Sequence, residues 1–167
     1  MNISQIIKSI IVLLLIAQNS TAQKFILPNE EVVIYFKTIH GKTMVLAKDT
    51  ANNYLIYRYG KDKIEFEFPE KDTSSWSKFH YSNYLRGVGA NNEGLDLNYV
   101  YFTNNDFKYV IYDNYYAVTD KDYNGILIFD LKTEQKTEIK AVVKTKKGTL
   151  ISLRDNEFIN TGEEIFD

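Results

Sequence analysis

The chain has 167 residues, 44% apolar, 25% charged and 14% aromatic, with 2 Pro, 13 Tyr and no Cys. That composition excludes a disordered, collagenous or disulfide-stapled chain, and the length suits one domain able to bury a core without covalent staples. The absence of cysteine also excludes thiol catalysis and thiolate metal sites, and the formal charge of −2 argues against a partner held through its phosphates, so no nucleic acid is expected.

The first predicted element is an export signal. Lys8 supplies a positive flank, Ile10 to Ile16 (IIVLLLI) an apolar run, and Ser20-Thr21-Ala22 a small-x-small end. This order predicts a cleavable signal peptide over residues 1–22, helical in its apolar part. The run from Ile6 to Ala17 falls short of the roughly 20 residues a spanning helix needs, so the mature protein is not expected to be integral to a membrane. Residues 23–167 are expected to form a single all-β domain in the periplasm or outside the cell.

From there helical periodicity is nearly absent, and runs rich in Tyr, Phe, Ile and Val recur between turn signals. Strands are predicted over Val32 to Lys37, Thr43 to Lys48, Tyr54 to Tyr59, Ile64 to Phe68, Phe79 to Arg86, Leu95 to Tyr101, Phe107 to Val118, Gly125 to Leu131, Glu138 to Val143 and Leu150 to Arg154. Strict alternation sets Ile64, Phe66 and Phe68 on one face, and Leu95, Leu97, Tyr99 and Tyr101 on another, as strands half buried against a core require. Turns are expected at His40-Gly41, Gly60-Lys61-Asp62, Asn104-Asn105, Asp120 to Gly125, Lys132 to Gln135 and Lys147-Gly148, where Gly, Asn and Asp tolerate positive φ or cap the turn. Short links between about ten strands imply an antiparallel meander, closed as a barrel or folded as a two-sheet sandwich. The lysines among Lys136, Lys140, Lys144, Lys146 and Lys147 read as guards of strand edges, and Glu163 to Asp167 as a polar tail.

Few residue patterns carry chemistry. His40 and His80 are the only histidines, and a Ser75 or Ser77 nucleophile beside His80 lacks the Gly-x-Ser-x-Gly elbow, so no catalytic group is expected and the chain reads as non-enzymatic. Asp120, Asp122 and Asn124 before Gly125 match the opening of a calcium loop, but the closing carboxylate is missing and both flanks are strands. A plain turn explains the composition, and neither metal nor cofactor is expected. The stretch Arg86 to Gly94 holds three glycines between two strong strands, a place where rigid elements present binding residues. Arg86, Asn91, Asn92, Glu93 and Asp96 are its contact-making groups, joined by Tyr84 and Trp76.

Tyr57, Tyr59, Tyr84, Tyr112, Tyr115 and Tyr116 are placed opposite core residues, where tyrosine serves either as a strong strand former or as a recognition side chain. The leading expectation is an exported binding protein, of the inhibitor or immunity-protein kind, that recognises a protein partner through this face and the Gly-rich loop. The alternative is a glycan or cell-wall binding module using Trp76 and tyrosine rings, which a groove lined by those rings would favour, whereas a flat or convex patch would favour a protein. The signal pattern predicts that mass spectrometry of the exported protein finds an N-terminus at Gln23; an intact Met1 in the envelope fraction would contradict it.

Overall fold

The computed structural model describes residues 25–87, 89 and 93–166, so the signal-peptide segment and the loop residues Asn91 and Asn92 lie outside the described residues. Alternating and aromatic-rich runs form eleven strands among the described residues: β1 (Glu30–Lys37), β2 (Thr43–Asp49), β3 (Leu55–Gly60), β4 (Ile64–Phe68), β5 (His80–Arg86), β6 (Leu95–Asn104), β7 (Phe107–Tyr116), β8 (Lys121–Asp130), β9 (Lys136–Lys140), β10 (Lys147–Gly148) and β11 (Asn160–Thr161). They make a five-stranded sheet in the order β10-β1-β2-β3-β4 and a six-stranded sheet in the order β11-β5-β6-β7-β8-β9. Neither sheet closes, so of the two expected architectures the sandwich forms and the barrel does not. Consecutive strands are antiparallel neighbours from β1 to β4 and from β5 to β9, but β10 returns to pair with β1 and β11 pairs in parallel with β5, a departure from the expected antiparallel meander. Between β6 and β7 only Asn105 and Asp106 intervene, with Asn105 at φ 53 in the left-handed region that asparagine tolerates.

Three details depart from the predicted pattern. Leu150–Leu153 is a 3-10 turn instead of a strand, because the Thr149 hydroxyl accepts from Ile151 N and the Asp113 carboxylate accepts from Leu150 N, giving that backbone partners outside a ladder. The β7–β8 hairpin turns four residues earlier than expected, at 117–120, and 121–125 is strand. Ile64 leaves the face of Phe66 and Phe68: a bulge pairs Gly60 with Ile64 but Tyr59 with Phe66, and the extra residue turns Ile64 to the opposite side.

Between the sheets Phe36, Met44, Leu46, Leu55 and Tyr57 meet Val100, Phe102, Ile111 and Ile126, while Trp76, Phe79, Leu150, Leu153 and Ile159 close the ends. Phe102 is the centre of an aromatic stack, 4.5 Å from Phe68 and 5.0 Å from Tyr109 between ring centroids. Both sheets are also apolar on their outer faces. Tyr35, Val45, Ala47, Tyr54 and Ile56 lie outside the first sheet and are covered by Phe25 and Ile26. Leu97, Tyr99, Tyr101, Val110, Tyr112 and Leu127 lie outside the second, partly covered by Phe166. Leu95, Leu97, Tyr99 and Tyr101 do share one face as predicted, but it is this outer face and not the one between the sheets.

The cover on the first sheet is fixed by a buried ion pair. Arg58, 1% exposed, donates from Nη1 and Nη2 to the two Glu30 oxygens at 2.6 and 2.7 Å, from Nε to Glu67 at 2.6 Å, and from Nη1 to the Phe25 carbonyl at 2.8 Å. Tyr54 adds a hydroxyl to Glu30 at 3.0 Å. Burial pushes the Glu30 carboxyl up, but the Arg58, Leu27 and Tyr54 hydrogen bonds and the Arg58 charge outweigh it and hold the group below the usual glutamate range. A depressed folded pKa contributes stability above the unfolded value and loses it as pH falls through the folded one. Arg58→Met, which strands Glu30 in the interior, is expected to cost about 3–5 kcal/mol at pH 7 by denaturant unfolding. That cost should shrink at pH 3, where an unpaired Glu30 is protonated; an equal cost at both pH values would contradict the pairing.

Candidate functional site

The outer face of the second sheet carries a groove of about 420 Å³. Its floor follows from alternation: on β7, Tyr112, Asn114 and Tyr116 point outward, and on β8 so do Tyr123 and Leu127. Lys136 and Glu138 of β9 form one wall, Val118 and Thr119 of the β7–β8 turn an end, and Glu93 and Phe166 the remaining rim.

Each ring is held by a particular contact. Tyr112 donates its hydroxyl to Glu138 at 2.8 Å, reaching it diagonally across β8 with the phenol lying over Gly125. A Cβ on Gly125 would stand 2.4 Å from the Tyr112 hydroxyl and 2.6 Å from the Ile139 carbonyl, so the glycine serves close approach of that ring and not the sharp metal-loop turn its sequence context suggests. Burial first, then the hydrogen bond and charge of Glu138, drive the Tyr112 phenol well above its ordinary pKa, so it stays a donor throughout the physiological range. Tyr116 and Tyr123 pack edge to face with centroids 5.5 Å apart and planes at 88°. Tyr123 remains 44% exposed.

Phe166 arrives on a strap from the opposite edge of the sheet. After β11 pairs with β5, Gly162 N donates to the Tyr81 carbonyl at 2.7 Å, the Ser82 hydroxyl donates to the Glu164 carbonyl at 2.5 Å, and Lys108 pairs with the Glu164 carboxylate. The Phe166 ring then rests 5.4 Å from Tyr99 and 5.2 Å from Tyr101 between centroids, with the Lys108 ammonium over it. Gly162 permits this path, since a Cβ there would lie 2.2 Å from the Tyr101 hydroxyl. The expected polar tail is thus anchored by an aromatic.

The residues singled out from sequence divide between groove, core and the other face. Arg86 donates from Nε to the Glu93 carbonyl at 2.8 Å, closing the Gly-rich loop at its base and setting Glu93 on the groove rim. Tyr84, 47% exposed, stands on the same outer face on β5, opposite Leu97. Asp96 points to the inner face, where it pairs with Arg154 at 2.6 Å and lines a separate polar cavity of about 250 Å³ with Asp113 and Lys146. Trp76 is 3% exposed, donates its indole N–H to the Asn52 carbonyl and packs on Phe158, so its ring is a core element with no face open to a sugar. Tyr57 likewise belongs to the core.

The calcium-like residues serve structure. Asp120 accepts from the Tyr115 hydroxyl at 3.0 Å, Asn124 is buried and donates to Asp113 at 2.6 Å, and Asp122 sits in the strand on Asn124's side. Among the described residues no group of three or more His, Asp or Glu could hold a metal ion. His80 stacks on Tyr101 at 5.2 Å, the Ser75 hydroxyl accepts from Leu55 N and the Ser77 hydroxyl donates to the Ser74 carbonyl, so the serine–histidine pairing considered above is not assembled.

The groove thus brings together ring faces, two carboxylates and a phenolic donor. No family model matches this chain, and neither the curated proteins nor the solved structures include a match to it. The Gly125 contact predicts that Gly125→Ala destabilises the protein by about 1–3 kcal/mol through overpacking against Tyr112 and the β9 backbone. Thermal unfolding measures it, and an unchanged midpoint would contradict that close approach.

Proposed function

We propose that this chain is an exported, non-enzymatic binding protein that takes a protruding group of a protein partner into the groove on the outer face of its second sheet. One observation carries the reading: Tyr112, Tyr116 and Tyr123, on two paired strands, share one concavity with Glu93 from the Gly-rich loop. Rings mounted on strands lose little further freedom on binding, which is why recognition surfaces use tyrosine. At the end of the concavity Val118 is 62% exposed, an apolar group suited to being covered by a protein surface.

A glycan ligand is the second reading, favoured by the concave shape itself. It has lost the tryptophan platform, because Trp76 is buried. Export to the periplasm or medium belongs to the same proposal and rests on the signal pattern of residues 1–22.

The test is capture from envelope extract by the mature chain and its variants. Tyr116→Ser with Tyr123→Ser should weaken capture at least tenfold, and Arg86→Ala should weaken it by releasing the contact to the Glu93 carbonyl that sets Glu93 on the rim. Tyr123→Ser alone, at a half-exposed position, should leave the melting temperature within about 3 °C of the parent. Undiminished capture by the double tyrosine variant would remove the groove from the interface.

A further inference from the structure

The groove's combination of groups selects one kind of protruding side chain. Tyr116 and Tyr123 meet at 88°, so their rings form a right-angled corner, and Tyr112 and Phe166 bring two more rings to the same cavity. The faces of such rings carry negative potential and attract a cation, most strongly when the surroundings are desolvated. Two carboxylates reach the cavity as well. Glu138 is fixed on one side by the Tyr112 hydroxyl, and its ion pair with Lys140, at 3.6 Å with both side chains largely in water, is a weak one. Glu93 has no ion-pair partner among the described residues. Lys136, the one basic residue lining the groove among the described residues, extends its ammonium over Phe129 at 5.7 Å from the ring centroid.

Resting on the groove being the ligand site, we propose that its occupant is a lysine or arginine side chain projecting from the partner protein. The cationic head lies against the Tyr116–Tyr123 corner with Glu93 and Glu138 as counter-charges. Its aliphatic stem follows Leu127 and Val118, both of which line the cavity. A neutral sugar would use the ring faces but would cover Glu93 without supplying a counter-charge, which disfavours it. An amino sugar shares the cationic chemistry, but it would leave the exposed Val118 at the end of the groove uncovered.

The experiment is an NMR titration of the mature chain carrying ring-labelled tyrosine, with three probes: a capped Gly-Leu-Lys-Leu-Gly peptide, its norleucine analogue and glucosamine disaccharide. The lysine peptide should shift the Tyr116 and Tyr123 ring signals, bind at least tenfold more tightly than the norleucine peptide, and weaken as salt rises. Glu93→Gln, at an exposed position, and Glu138→Gln should each reduce that binding several-fold; if Glu138→Gln unfolds the chain, Glu93→Gln alone decides. Equal shifts from the norleucine peptide, with Glu93→Gln without effect, would overturn the cation assignment and leave the groove a ligand site. Binding of glucosamine disaccharide without the lysine peptide would overturn the protein source. No shift of the groove tyrosines with any probe would overturn both this inference and the groove itself.

Discussion

The architecture depends on one constraint: both sheets are apolar on both faces, so a sandwich alone leaves two apolar outer faces in water. Segments outside the two sheets cover them in part. On the first sheet Phe25 and Ile26 lie over Tyr35, Val45 and Ile56, held by the Arg58–Glu30 pair, which accepts the desolvation of two charges in return for near-complete hydrogen bonding. On the second sheet a short strap ends in Phe166 against Tyr99, Tyr101 and Phe129. That strap reaches only part of the face. The groove lies in the part it leaves open, lined by Tyr112 and Leu127, which are buried at its floor, by Tyr116, and by Tyr123, which is 44% exposed.

The groove is rigid for reasons that lie on the opposite side of the same strand. Asp113, between Tyr112 and Asn114 on β7, faces inward and accepts from Asn124, Lys146, the Thr149 hydroxyl and Leu150 N. Asp96 and Asn98 on β6 receive Arg154 beside it, and the Tyr81 hydroxyl donates to Asn98 at 2.6 Å. This network ties the segment after β9 to the inner face at the end of the sheet where the groove opens on the outer one. A buried, many-donor carboxylate holds the register of its strand, and so holds Tyr112 and Asn114 on either side of it.

Much of the fold was legible in the sequence because alternation and turn chemistry are local. The hairpins through β3–β4, β6–β7 and β7–β8 each follow from such signals. What alternation cannot say is which face is inner, and in this chain both are apolar: Leu97 and Tyr99 share a face as read, yet the lid over it is a tail 60 or more residues away in sequence. A bulge at Ile64 and a capped turn at Thr149 depend on partners that local pattern does not reveal. The site was legible in part. Composition and spacing single out Arg86, Glu93 and the tyrosines of β7, whereas Glu138 joins the groove only through the β8–β9 register, Phe166 only through the strap, and Trp76 and Asp96 lie outside it.

The central claim is that the uncovered part of the second sheet's outer face is where a partner sits. Amide hydrogen exchange of the mature chain, free and bound to the captured partner, tests it directly, since slowed exchange reports the backbone shielded by the complex. The account predicts new protection at Tyr112 to Tyr123 and at Lys136 to Glu138, with Glu93 at the rim and no change in β1 to β4. Protection confined to the first sheet, with the groove strands exchanging as in the free protein, would contradict it.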